Sequence, residues 1–240
     1  MRIAVLETGA PPTEEMRRRN PRYAAMFERL LAPVLPRASF TPVSVVDGAA
    51  PPPVSEVDGV LVTGSPAGVY ENHAWIAPLE DYVRRAAAAR TPSVGICFGH
   101  QLFAQAFGGR VAKSDKGWGV GVHTYDVAAE AAWMQPSARK ISCVVSHQDQ
   151  VLDRPAGARV LAGSDFCPNG ALAYAQGPAV SFQMHPEFDH DFAAALLSVR
   201  ARSMPGDTVA TARASYAAAS DRAVIARWMA RFFETGGERA

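Results

Sequence analysis

The sequence is short of cysteine, of net charge and of long apolar runs, and each shortage excludes something. Its 240 residues include three cysteines, Cys97, Cys143 and Cys167. An odd count at irregular spacing suits neither a disulfide framework nor a zinc site, so a reducing, cytoplasmic setting is expected. A formal net charge of +1 leaves no electrostatic footprint for nucleic acid. The basic stretch "MRRRNPR" from Met16 reads as a solvated loop or helix start, with a mobile lid over a site as the alternative. No run approaches the ~20 apolar residues of a membrane span, and the opening "MRIAVLETGA" is too short for a signal h-region. A soluble chain with a small-molecule substrate is the reading that remains. With no metal cluster and no phosphate-binding glycine loop, no metal and no cofactor is predicted.

What is present is alternation. Apolar runs such as "RIAVLE", "VDGVLVTG" and "SVGIC" alternate with helical patterns such as "RYAAMFERLLAPVL", "WIAPLEDYVRRAAAA" and "HQLFAQAFGG". Strands apolar on nearly every residue point to a parallel sheet covered on both faces by helices, an α/β architecture. After Gly109 shorter β-like runs follow one another without a long helix, which predicts an antiparallel or mixed extension of the sheet. Helix returns at "DHDFAAALLSVRARS" and at "SYAAASDRAVIARWMARFFE", with "MPGD" at 204–207 separating the two. The Trp228, Met229, Phe232 and Phe233 positions of the second read as core, or as a docking face.

The stretch "SVGICFGHQL" sets Cys97 between two glycines, after a strand and before a helix. That is the layout of a nucleophile elbow, in which a sharp turn exposes the nucleophile. The helix start places positive potential beside the sulfur, and the Phe98 amide points toward an anion forming there. The bland alternative is a buried core cysteine. A cysteine nucleophile needs a base held by a third group, and of the six histidines His185 lies in a suggestive setting, "VSFQMHPE". The residue before proline is extended; if the chain stays extended through Pro186, the side chains of His185 and Glu187 share one side. The alternative is a surface His-Pro-Glu turn.

Together "GICFGHQ" and "MHPE" resemble the nucleophile and histidine motifs of the class I, or triad, glutamine amidotransferases, with cysteine preceding histidine as in that family. The resemblance runs from the first strand to about residue 200. It implies a flavodoxin-like three-layer sandwich with a mostly parallel central sheet, an antiparallel extension and C-terminal helices. Residues 1–204 would form the catalytic domain, and 205–240 a helical extension packed on it. By position, Cys97 would be the nucleophile, His185 the proton shuttle and Glu187 its orienter. Gln101 matches a family substrate-binding glutamine. The "VTGSPAGVYE" loop matches the family's oxyanion loop, which assigns the second donor to the backbone of Ser65, with Gly64 as second choice beside Phe98. A non-glycine residue at 65 restricts that backbone, so the loop is expected to remodel before catalysis. "VVSHQDQV" resembles a substrate-flanking segment, making His147, Gln148 and Asp149 candidate contacts; a satisfied turn histidine is the equal alternative for His147. In "KGWGVG", Gly119 stands where the family often has an acid.

In these loops the chain looks most like the free-standing group similar to the amidotransferase domain of GMP synthase, and some relatives of that group are γ-glutamyl peptidases. The resemblance therefore implies hydrolysis of glutamine through a γ-glutamyl thioester, with ammonia passed to a separate synthetase chain. The alternatives are a γ-glutamyl peptidase acting on other γ-glutamyl compounds, or a regulatory subunit that stays silent until a partner docks.

Overall fold

The computed structural model describes residues 1–237; the last three residues of the expected 205–240 extension lie outside it. In chain order the elements are β1 (Arg2–Glu7), α1 (Glu14–Arg19), α2 (Tyr23–Leu31), β2 (Ser39–Ser44), β3 (Gly59–Val62), α3 (Ile76–Ala88), β4 (Ser93–Ile96) and α4 (Phe98–Ala106). There follow β5 (Arg110–Lys113), β6 (Gly119–Val127), β7 (Lys140–His147), β8 (Asp149–Asp153), β9 (Arg159–Gly163), β10 (Ala171–Ala173) and β11 (Ala179–Phe182). The chain ends in α5 (His190–Arg200), α6 (Gly206–Ser215) and α7 (Arg222–Thr235). No helix among the described residues is long and apolar enough to cross a membrane.

The nine-stranded sheet has the order β2-β1-β3-β4-β11-β10-β9-β6-β7, while β5 and β8 pair separately. Strands β2 through β11 in that order are parallel, and the rest join antiparallel. This is the α/β sandwich with an antiparallel extension that the sequence predicts. The continuous apolar strands follow from two-sided burial. In β1, Ile3 and Val5 face Phe27 and Leu31 of α2 and Trp228 and Phe232 of α7. Ala4 and Leu6 face the other way, toward Leu79 and Val83 of α3 and Leu102 and Phe103 of α4. Pro42 is tolerated in β2 because that strand is an edge.

Two local expectations are corrected. "GDTVATARAS" is helical as α6, beginning directly after Pro205, so "MPGD" does not separate only two helices. The last helix starts at Arg222 and not near Ser215. Asp221 is tied to β7 through Ser142 N–H donating to Asp221 Oδ2 at 2.7 Å and Asp221 N–H donating to Ser142 O at 2.6 Å, which keeps 216–221 out of the helix. The last helix lies in the core: Trp228, Met229, Phe232 and Phe233 are all buried, and Trp228 Nε1–H donates to Pro136 O at 2.8 Å.

Candidate active site

The site is built where β4 and β11 lie side by side. Although β11 belongs by sequence to the late, antiparallel half, it inserts parallel to β4 with Phe182 opposite Ile96. The residues following the two strands, Cys97 and His185, thereby arrive at the same edge of the sheet. Cys97 sits at φ 53°, ψ −99°, a backbone region that side chains rarely occupy. It is held there by its N–H donating to Phe182 O at 2.8 Å. The glycines around it are required by packing: a Cβ on Gly95 would lie 2.4 Å from Gly99 O, and one on Gly99 2.4 Å from Val62 O. The G-x-C-x-G spacing is thus the signature of helix α4 pressed against its sheet.

His185 and Glu187 are both buried, and Nδ1 of the ring lies 2.7 Å from Glu187 Oε1. They meet in a different way from the expected extended tripeptide. The chain turns at Pro186–Glu187, with Phe188 N–H donating to His185 O at 3.3 Å, and the turn carries the carboxylate back to the ring. Three further contacts fix the turn. Phe188 stacks on the imidazole at 4.1 Å between centroids and 4° between planes. His185 N–H donates to Val144 O at 2.8 Å. Arg222 of α7 donates through Nε to Pro186 O (2.9 Å) and through Nη2 to Glu187 O (3.2 Å). Burial alone would push the His185 ring toward its neutral form. The Glu187 carboxylate and Cys97 outweigh that, so its pKa is raised. A nitrogen base is thereby kept oriented and strongly basic. Gly64 is the point of closest approach, since a Cβ there would lie 2.9 Å from His185 Cε1 and 3.7 Å from Cys97 Cβ.

Beside this constellation opens a cleft of about 320 Å³, lined by Cys97, Ser65, Gln101 and the His147–Gln148–Asp149 turn. The N–H groups of Gly64, Ser65 and Phe98 have no acceptor among the described residues. Gln101 Nε2 donates to Asp149 O (2.9 Å) and Gln183 Oε1 (3.2 Å), which leaves its own Oε1 as the group open to a ligand. Asp149 is half-buried, accepts from Tyr70 O–H at 3.2 Å, and has its pKa raised chiefly by burial. His147 donates Nδ1–H to Asp149 O at 3.1 Å, and burial lowers its pKa to about 3. It is therefore a neutral turn histidine that also lines the cleft.

Sequence reasoning misses several cleft residues: Tyr70, Lys113, Trp118 and Arg200. Tyr70 and Trp118 stand inside loops that the motifs mark. Lys113 on β5 and Arg200 at the end of α5, whose Nη1 donates to Ser146 Oγ at 2.8 Å, carry no local signal. The departure at Gly119 has a steric account, because a Cβ there would lie 2.7 Å from Phe166 Cε1 and 3.0 Å from His147 Nε2. An acidic side chain has no space. "MRRRNPR" runs from α1, capped by Thr13, to Arg22 at the N-cap of α2, and none of its arginines lines the cleft.

Residues 38–198 match the sequence profile of the family "Glutamine amidotransferase class-I". Similar proteins include a GMP synthase (glutamine-hydrolyzing) subunit of Sulfolobus acidocaldarius, 27% identical over 168 residues, 70% of this chain and 87% of the relative. Gamma-glutamyl peptidase 4 of Arabidopsis thaliana is 31% identical over 157 residues, 61% of each chain. A Saccharomyces cerevisiae relative is 33% identical over 139 residues, so the match spans about half (55%) of that relative's length. In fold, the chain is similar to a crystal structure of a glutamine amidotransferase from Methylobacillus flagellatus, with a TM-score of 0.78 at 18% identity over 99% of this chain and 96% of the other. With the profile covering well over half of its length, this chain belongs to the class I glutamine amidotransferase family.

Proposed function

We propose that the chain hydrolyses the side-chain amide of glutamine through Cys97, His185 and Glu187, and releases ammonia for an acceptor enzyme on a separate chain. The observation that carries this reading is the convergence of a strained elbow cysteine with a buried, carboxylate-oriented imidazole. Cys97 Sγ attacks the amide carbon with its proton already held on His185 Nε2, whose pKa is raised. The C–N bond of the tetrahedral adduct then breaks as His185 returns that proton to the leaving nitrogen, giving ammonia and a γ-glutamyl thioester. Water, deprotonated by His185, attacks the thioester; the C–S bond breaks and glutamate leaves, with the proton left on the Cys97–His185 pair. The oxyanion of each adduct is held by the N–H groups of Phe98 and Ser65, with Gly64 as the neighbouring donor. Gln101, His147, Gln148 and Asp149 contact the amino-acid end of the substrate. A partner synthetase is supported by the similarity to a GMP synthase subunit.

The cations of the cleft, Lys113 and Arg200, favour a second reading, a γ-glutamyl peptidase. Glutamine has one carboxylate to offer them and a γ-glutamyl dipeptide two. The same thioester serves both substrates. Ammonia and glutamate release from purified protein, measured with glutamine and with γ-glutamyl dipeptides, separates the two, with Cys97→Ser as control. Ammonia from glutamine, absent in the variant, is the expected result. Dipeptide cleavage alone selects the peptidase, and silence with both substrates selects a subunit that awaits its partner. Equal activity of the variant and the wild type refutes the triad.

A further inference from the structure

We propose that Thr8, at the end of β1, is a positioning residue that fixes the oxyanion donor by locking the Gly64–Ser65 peptide. The proposal rests on the role given above to the Ser65 amide. Strands β1 and β3 run parallel in register, Leu6 beside Val62, and the pairing continues past the sheet edge as Thr63 N–H donates to Leu6 O at 3.1 Å. This brings Thr8, which is fully buried, against the Thr63–Pro66 loop. Its N–H donates to Thr63 Oγ1 at 3.1 Å, and its own hydroxyl lies 3.0 Å from both Gly64 O and Thr63 O. Thr63 Oγ1 in turn lies 3.2 Å from Gly64 O. Two buried hydroxyls therefore converge on one carbonyl.

That carbonyl belongs to the peptide whose N–H is on Ser65. In a trans peptide C=O and N–H point in opposite directions. Anchoring Gly64 O toward Thr8 aims Ser65 N–H away from β1, to the side where the cleft and Cys97 lie. Were the peptide to rotate, the carbonyl would face the developing oxyanion and repel it. Next to it, Gly9 leaves room for Pro66, whose Cδ would lie 3.1 Å from a Cβ at that position, so β1's exit and the loop are packed as a unit. Thr8 lies outside the 38–198 family match, and it does not touch the reacting atoms.

Thr8→Val removes the hydroxyl while keeping the branched shape, and it orphans no carbonyl: Thr63 O still accepts from Gly99 N–H at 3.2 Å and Gly64 O from Thr63 Oγ1. Removal of one oxyanion donor costs roughly 10²–10³ in kcat. With the Thr63 hydroxyl still in place, Thr8→Val is expected to lower kcat about tenfold, and Thr8→Val combined with Thr63→Val about 10²-fold, with KM little changed. Alkylation of Cys97 by iodoacetamide, a direct displacement that forms no oxyanion, is expected to keep its wild-type rate. Thr8→Ser, which restores the donor, is expected to restore kcat. Undiminished kcat in Thr8→Val overturns the proposal, as does an equal loss of alkylation, which would mean that the nucleophile itself was disturbed. A crystal structure of the Thr8→Val/Thr63→Val double variant, in which both hydroxyls that hold Gly64 O are gone, decides the matter even if the wild type hydrolyses nothing. A rotated or split Gly64–Ser65 peptide supports the lock, and a wild-type peptide orientation refutes it, whereas a silent wild type refutes only the hydrolytic role.

Discussion

Glu187→Gln isolates the charge of the group that orients His185, because glutamine has the same shape and its Oε1 still accepts from His185 Nδ1–H at the 2.7 Å position. Only the Coulomb attraction is lost. An opposite charge within ~4–6 Å raises a base by about 1–3 pKa units, and each unit is worth about 1.4 kcal/mol. Both side chains are almost wholly buried, 5% and 1% exposed, so solvent screening removes little of this. In the proposed mechanism the imidazolium that holds the Cys97 proton should therefore be destabilised by about 1.4–4 kcal/mol, and kcat/KM should fall by about 10–10³-fold. The same charge has a signature in stability. His185 is held protonated above its ordinary range, so its stabilisation is fully present below the usual histidine pKa of about 6.5 and is lost as pH rises through the raised folded value. The variant's deficit in urea unfolding should be largest near pH 6 and shrink on the alkaline side. Steady-state ammonia release across pH, with unfolding at both ends of the range, checks both effects. A variant within threefold of wild type, or a deficit that grows with pH, would falsify the electrostatic account of His185.

Three further outcomes follow from the packing. Arg222→Gln removes the paired bonds onto Pro186 O and Glu187 O and should lower kcat about tenfold at unchanged KM; Arg222→Lys should not rescue it, because an ammonium cannot reproduce the guanidinium fork. Gly119→Ala should cost about 1–3 kcal/mol of stability by chemical denaturation, and Phe166→Leu in the same chain should recover most of it if the ring is what closes the site. Gly95→Ala meets backbone and not a side chain, at 2.4 Å from Gly99 O, so a loss of roughly 3 kcal/mol or more is expected, and wild-type stability in a thermal melt would contradict the packing described for the elbow.

The parts of the fold that are legible in the sequence are those where one physical demand acts on consecutive residues. Strands β1, β3 and β4 are buried on both faces and read as unbroken apolar runs. Cys97 is legible as an elbow because its two neighbouring glycines answer to backbone contacts, and backbone contacts leave a local mark. Helix α6 leaves none: among its residues only Ala212 is buried, so no apolar stripe exists to be read. The late start of α7 depends on Asp221 pairing with a strand 79 residues away in sequence, which no window of neighbours contains. Spacing pairs His185 with Glu187 for a geometric reason that the turn replaces, since the contact arises from reversal of the chain and not from its extension.

The family match covers residues 38–198, yet the candidate site is braced from beyond both limits. Thr8 reaches the proposed oxyanion loop from the first strand, and Arg222 grips the His-Pro-Glu turn from the last helix. Tyr23, at the start of α2, extends the aromatic layer behind His185, 6.1 Å from Phe188, which itself lies on the imidazole. The Cys97 and His185 motifs of the candidate site are accordingly legible in short stretches, while the groups that would preorganise it come from the ends of the chain, through contacts that only folding brings together.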